Sequence, residues 1–310
     1  MPSPSHGHLA GVVAGIVAAA AAAVSYLVLR HHGNRAAGGS KRLLVLAHFV
    51  LGLACLPLVW ILWPESLPAA AESLPPLFGA AATYLAGQAM VFATLRRMPA
   101  SRLAPLLGLK IVLLAAIVSL LPGDRLSVMQ WAAVGASVAA AAMLDRSGAA
   151  ASPAALAGVL AACLMFAICD LLSVRLIDVF ESGGTGWWSR SPRLHAGCFA
   201  MATTYVLCGV VAACLLSWTT PRDRRDWAAA SQYSLAWLAG MVALYACFGF
   251  VGAVFGNVLF STRGIMAVVL GALLAHLGWH DLEEKVDRVT LLRRLTAAVL
   301  MTAAIAAYVA

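Results

Sequence analysis

The chain has 310 residues, 62% of them hydrophobic and only 11% charged, with a formal net charge of +8. A soluble domain carries roughly a quarter charged residues, so this composition excludes an ordinary water-soluble protein and leaves a polytopic helical protein of the lipid bilayer. The positive charge does not point to nucleic acid, because the basic residues sit in short loops beside apolar runs and no basic patch interleaved with aromatics is left over.

Ten apolar runs can be drawn in chain order, at 9–29, 43–63, 77–95, 103–121, 129–144, 154–174, 197–218, 233–255, 264–279 and 291–309. Each is near the twenty or so residues a helix needs to cross the hydrocarbon. The opening MPSPSHGH has no Lys or Arg ahead of the first run, so that run is expected to be a retained helix and not a cleaved signal. Pro64, Pro99, Pro122, Pro153 and Pro221 fall where a helix should stop or start. All seven cysteines (Cys55, Cys163, Cys169, Cys198, Cys208, Cys214 and Cys247) lie inside apolar runs with no CxxC pair, which predicts small packing residues and neither a disulfide frame nor a metal site.

Polar groups inside these runs are the candidate functional residues. His48 in the second run and His276 in the ninth are isolated, without ligand spacing, and read as packing residues. Tyr84 and Gln88 are four apart in the third run and share a helical face, which suits either a polar cavity lining or hydrogen bonding between helices. Lys110 interrupts PLLGLKIVLLAAIVSLL in the fourth. An ammonium near the bilayer centre costs at least about 2.5–3.5 kcal/mol on insertion scales, so Lys110 needs a wet cavity or a partner, unless it snorkels to the basic loop at Arg102. Asp170 in LMFAICDLLSVRL offers that partner, or a site for proton exchange; the bland alternative is an interfacial acid solvated beside Arg175. Asp178 and Glu181 follow at helical spacing, as an acidic face reaching the headgroups would require. Tyr245 and the glycines Gly240, Gly249, Gly252 and Gly256 lie in or beside the eighth run, the glycines permitting close helix approach or hinging. In the longest loop, Trp187, Trp188, Arg190 and Arg193 read as an interfacial anchor.

Basic residues alternate from loop to loop. Arg30, Arg35, Lys41 and Arg42 follow the first run; Arg96, Arg97 and Arg102 the third; Arg146 the fifth; Arg222, Arg224 and Arg225 the seventh; Lys285, Arg288, Arg293 and Arg294 the ninth. The positive-inside bias therefore puts these loops in the cytoplasm and both termini outside. The two halves, 1–150 and 151–310, also resemble each other: LVLR matches LSVR, setting Ser25 against Asp170 and Arg30 against Arg175, while Tyr84 matches Tyr245 and Ser101-Arg102 matches Thr262-Arg263. Five runs per half is an odd number, so two copies must be inverted relative to each other, the plan of many secondary transporters with a substrate site at the repeat interface.

The segment ATYLAGQAMVFATLRRMPASRLAPLLGLKIVLLAAIVSLLPGDRLSVMQWAAVGASVAAAAML, 81–144, resembles the third to fifth helices of EamA-type members of the drug/metabolite transporter superfamily. Its features are a polar third helix, a short basic turn with Ser, an apolar fourth helix, the turn Gly123-Asp124-Arg125-Leu126 and Gln130 in the fifth helix. STRGIMAVVLGALLAHLGWHDLEE and LLRRLTAAVLMTAAIAAYVA repeat the layout in the second half. The resemblance implies an all-α integral membrane fold of ten transmembrane helices in two inverted five-helix repeats, with the fourth helix bordering a central cavity. The chain departs from the family in Asp124, where Glu is usual, in Lys110, and in the orientation its basic loops imply.

The expected function is a secondary transporter of the inner membrane, moving a small organic solute by alternating access, with Lys110, Tyr84, Gln88, Asp170 and Tyr245 at the cavity. Its expected partners are the substrate, the bilayer and a coupling proton, with a homodimer compatible with the plan and no nucleic acid, cofactor or metal. An enzyme is disfavoured by the lack of HExxH, GxSxG, P-loop or Cys/His nucleophile patterns. A flippase for a lipid or a polyprenyl-phosphate-linked sugar is the alternative, since a lysine in a membrane cleft suits a phosphate head group.

Overall fold

The computed structural model describes residues 4–33, 39–110, 113, 117, 127–145, 152–182, 192–219, 224–251, 253–279 and 287–309. Among them are helices α1 (Pro4–Gly33), α2 (Gly39–Ile61), α3 (Ala70–Thr94), α4 (Ala100–Leu106), α5 (Val128–Asp145), α6 (Pro153–Ser182), α7 (Pro192–Leu216), α8 (Arg224–Val251), α9 (Ala253–Ser261), α10 (Arg263–His276) and α11 (Arg288–Val309), and no strand. Among the described residues, six segments are long and apolar enough to cross a membrane: Leu9–His32, Lys41–Ile61, Ala70–Thr94, Pro153–Ser182, Pro192–Leu216 and Gly256–His276. The protein is an all-α membrane protein.

The helices pair in a simple pattern: α1 on α8, α3 on α6, α2 on α7, α4 on α10 and α5 on α11. Small residues make these pairs possible, because apolar burial drives little association between helices in lipid and close van der Waals contact has to supply it. In α1 the alanine run puts Ala18, Ala19, Ala22 and Ala23 wholly out of solvent, and Gly240 of α8 sits against the Ala18 carbonyl and Ala21. Where α2 crosses α7, a Cβ built on Gly52 would lie 2.5 Å from Cα of Gly209 and 3.0 Å from the Tyr205 carbonyl oxygen; one on Gly209 would lie 2.6 Å from Cα of Gly52. At the α4–α10 contact a Cβ on Gly264 would stand 3.0 Å from Cα of Pro105.

Side-chain hydrogen bonds bring the ends of helices that border the basic loops to one face of the bundle. Arg30 at the end of α1 donates to the carbonyls of Leu95 and Met98 just past α3, at 2.7 and 2.8 Å. Arg42 of α2 pairs with Asp226 of α8 at 2.9 Å, His32 meets Gln232 at 3.1 Å, and Arg294 of α11 donates to Ser101 of α4 at 3.0 Å. The opposite end is held by an apolar cluster of Leu176, Ile177, Phe180, Ala196, Phe199 and Ala200.

Several expected boundaries move. Pro99 precedes α4 and Pro153 opens α6, positions where a missing N–H costs nothing, and Pro64 follows α2; Pro122 and Pro221 lie outside the described residues. The helix expected at 154–174 continues to Ser182. For the run expected at 233–255, α8 begins earlier, at Arg224, and is described to Val251, and α9 is described from Ala253, with Gly252 outside the described residues. Of the fourth run, α4 and a 3₁₀ turn at Leu107–Leu109 lead into Lys110, and most of 111–121 lies outside the described residues. Pro105 and Gly108 account for the tightened turn, one lacking an N–H and the other a Cβ. α10 ends with Gly278 at φ 88°, the left-handed residue that closes a helix. Cys214 and His276 are exposed and do not pack, whereas Cys55, Cys163, Cys169, Cys208 and Cys247 are buried.

Gly52→Ala is expected to lower the thermal unfolding temperature of detergent-purified protein, since its methyl meets backbone and overpacking of this kind costs about 1–3 kcal/mol. Gly135→Ala, with nothing within 4 Å of the new Cβ, should leave the melting temperature unchanged or raised. Equal melting of the two variants would show that the α2–α7 contact yields easily.

Candidate functional site

The site forms where α3, α6 and α8 each turn one face inward. On α8, Tyr233, Trp237, Met241, Leu244 and Phe248 recur every three or four residues, so they stack along one stripe. On α6 the same spacing aligns Phe166, Asp170, Ser173 and Ile177. Between them is a cavity of about 120 Å³ whose lining includes Tyr84, Lys110, Asp170, Trp237, Tyr245 and Arg263.

The charged core of this cavity is an ion pair. Lys110 Nζ donates to Asp170 Oδ2 at 2.7 Å, the lysine side chain 11% exposed and the aspartate 33%. Both stand deep: Lys110 is ten residues, about 15 Å, from the start of α4, and Asp170 twelve residues, about 18 Å, from the end of α6. Pairing supplies what either charge would lack in hydrocarbon, and the exposed third of Asp170 keeps water within reach of its second oxygen. The carboxylate thus goes to Lys110, while Arg175 is exposed on another face of α6.

Beside the pair lies a hydrogen-bonded aromatic wall. Gln88 Nε2 donates to the Tyr84 hydroxyl at 3.1 Å, and the Tyr233 hydroxyl donates to Gln88 Oε1 at 3.2 Å. Trp237 Nε1 donates to the Tyr205 hydroxyl at 3.0 Å. Tyr84 and Tyr205 meet edge to face with ring centroids 5.1 Å apart, and Trp237 stacks on Tyr233. Gln88 is wholly buried and does not line the cavity; it locks α3 to α8 behind the wall, with Tyr84 bridging it to the open space. His48, 1% exposed, donates through Nδ1 to the Leu44 carbonyl at 2.7 Å and packs on Tyr84, as a packing residue should.

At the end away from the basic loops, Arg193 borders the cavity and pairs with Asp178 at 3.2 Å and Glu181 at 2.8 Å. Those two acids therefore serve Arg193 at an exposed rim. Trp187, Trp188, Arg190, the turn 123–126 and Gly252 fall outside the described residues, as do the side chain of Gln130 and the surroundings of Gly249.

Four of the five expected residues, Lys110, Tyr84, Asp170 and Tyr245, come together at one cavity. Residues not singled out beforehand as cavity groups are Tyr26, Tyr205, Trp237, Asn257 and Arg263. The aromatic stripe of α8 was visible as a three-to-four spacing. Arg263 is the first residue of α10, in a Thr262-Arg263 pair whose composition imitates a loop.

No protein-family model matches the chain, and no curated protein matches it. Fourteen chains of known structure do. One, described only as the crystal structure of a protein, has a TM-score of 0.54 at 16% identity, covering 98% of this chain and 98% of its own. At that identity the likeness is one of fold alone, and it extends over the whole length of both.

Asp170→Asn should lower the melting temperature more than the double variant Lys110→Met/Asp170→Asn, because the single change leaves an ammonium buried without its anion. The expected loss is about 1–3 kcal/mol, below the roughly 3–5 kcal/mol of a sealed pair because Asp170 is one-third solvated. A double variant no more stable than Asp170→Asn would show that water, and not the partner, stabilises Lys110.

Proposed function

We propose that this chain is a secondary transporter of the EamA type, moving a small organic solute across the inner membrane by alternating access, without ATP. The observation that carries this reading is the Lys110–Asp170 ion pair at mid-helix depth in an aromatic-walled cavity. An ion pair that costly serves a carrier whose site must bind and release a polar solute, and Asp170 is the group through which a proton would couple to that cycle.

The ten-span plan in two inverted repeats gains support from the helix pairings. If α1, α2, α3, α4 and α5 correspond to α6, α7, α8, α9/α10 and α11, then exchanging the halves turns the α1–α8 pair into the α6–α3 pair, and maps α2–α7, α4–α10 and α5–α11 onto themselves. The α2–α7 contact obeys the same exchange in detail: Gly52 lies against the Tyr205 carbonyl, and Gly209, 157 residues on from Gly52, against the carbonyl of His48, 157 residues before Tyr205. Rocking one repeat against the other about such contacts is how an inverted-repeat carrier exposes one site to two sides.

Protein reconstituted in liposomes should catalyse gradient-driven counterflow of a solute found by screening labelled amino acids, sugars, nucleobases and organic acids. Lys110→Met should reduce that flux at least tenfold with folded yield preserved, and Lys110→Arg should restore little, since a planar guanidinium does not replace a compact ammonium. Strict dependence on ATP, or flux of a fluorescent lipid analogue in place of every soluble solute, would overturn the reading.

Orientation is open to a separate measurement. In a cysteine-free background, Ser40→Cys beside the basic loop should resist an impermeant maleimide in intact cells, while Ser66→Cys at the opposite end should react. Ready labelling of Ser40→Cys with protection of Ser66→Cys would place the basic face outside.

A further inference from the structure

Among the described residues, four charged side chains line the cavity: Lys110, Asp170, Arg193 and Arg263. Lys110 is matched by Asp170, and Arg193 by Asp178 and Glu181. Arg263 has no acidic partner among the described residues. It is 5% exposed, and its Nε is buried without a hydrogen-bond partner. It lies thirteen residues, about 20 Å, from the end of α10, too deep for its side chain to reach that face of the bundle. A buried guanidinium donor left unmatched costs considerably more than ordinary polar contacts return, so a guanidinium without an acidic partner at the lining of a cavity calls for an occupant.

The placement of the group narrows what that occupant is. The ring of Phe260 lies 4.3 Å from the guanidinium carbon, covering one face of its plane. The in-plane N–H donors are what remains for a ligand, and their fork matches the two oxygens of a carboxylate or phosphate. The rest of the lining is largely apolar and aromatic: Phe166, Trp237, Leu244, Tyr245 and Phe248. We infer that the cavity takes a small organic anion with an aromatic or apolar body, its anionic group held by Arg263 while the Lys110–Asp170 pair stands alongside as a polar, net-neutral wall. The inference deepens the transporter reading and rests on it for its biological meaning, but binding itself requires no movement across a membrane.

Calorimetric titration of the detergent-purified protein with benzoate, phenyl phosphate, benzamide and benzylamine tests it. One or both anions should bind at least tenfold more tightly than the neutral amide or the amine; preference between benzoate and phenyl phosphate then assigns the anion as carboxylate or phosphate. Arg263→Gln should weaken the anion about ten- to hundredfold, the worth of a charge-assisted hydrogen bond, and Arg263→Lys should weaken it less. Binding of benzamide or benzylamine as tight as the anions, no binding by any probe, or unchanged anion affinity in Arg263→Gln would overturn the assignment. Should Arg263→Gln fail to fold, the selectivity of the wild-type protein and the Arg263→Lys titration decide. Anion binding without gradient-driven flux in liposomes would remove the transport reading and leave the anion site standing; flux confined to cations would do the reverse.

Discussion

A charge in hydrocarbon must meet an opposite charge or water, and the arrangement around the cavity follows from that constraint. Lys110 lies deep in the bundle, and the chain supplies Asp170 from another helix at hydrogen-bonding distance. That contact fixes the depth at which the end of the α4 segment faces α6, and the facing stripe of α8 completes the chamber. The polar aromatic wall is a second expression of the same rule: Gln88 satisfies both its donor and its acceptor on tyrosine hydroxyls of α3 and α8, so its amide is fully buried without a missing partner on either atom.

Close packing and an open cavity coexist because the sequence separates them along each helix pair. Where helices touch, glycine and alanine let backbones approach, as at Gly52 and Gly209 or along the alanine run of α1. Where the chamber opens, the same helices carry Phe166, Tyr84, Tyr205, Trp237 and Phe248, whose bulk holds neighbours apart. Small residues act as the clamps and aromatics as the spacers, an arrangement suited to lipid, where van der Waals fit largely replaces the hydrophobic effect as the source of helix association.

This division explains what could be read from the residues alone. Lys110 was legible because one ammonium in an unbroken apolar run has no other explanation than a snorkel or a cavity. Asp170 was only half legible: SVRLIDVFES carries enough charge to resemble a loop, and the depth of the carboxylate became clear only with α6 running on to Ser182. Arg263 was hidden, since Ser-Thr-Arg-Gly after an apolar run has the composition of a turn, and only the packing of α10 on α4 carries it into the interior. Gln88 shared its face with Tyr84 as the spacing required, but spacing does not tell which side of a tyrosine an amide occupies.

The two ends of the bundle are held by different forces, and the difference bears on which way the cavity faces. At the basic end, Arg30 ties α1 to the carbonyls past α3, Arg42 ties α2 to α8, His32 ties α1 to α8, and Arg294 ties α11 to α4. Each is worth only about 0.5–1.5 kcal/mol net, yet several together match the few kcal/mol that separate two conformations of a working protein. At the other end stands the apolar cluster of Leu176, Phe180 and Phe199, with the rim pairs of Arg193 beside it, whose groups are too solvated to add much. Arg193 borders the cavity at that end, while at the basic end hydrogen bonds tie helix to helix. In the alternating-access cycle proposed above, opening toward the basic loops would require α1 to give up its hold on the carbonyls of Leu95 and Met98 along with the other contacts at that end.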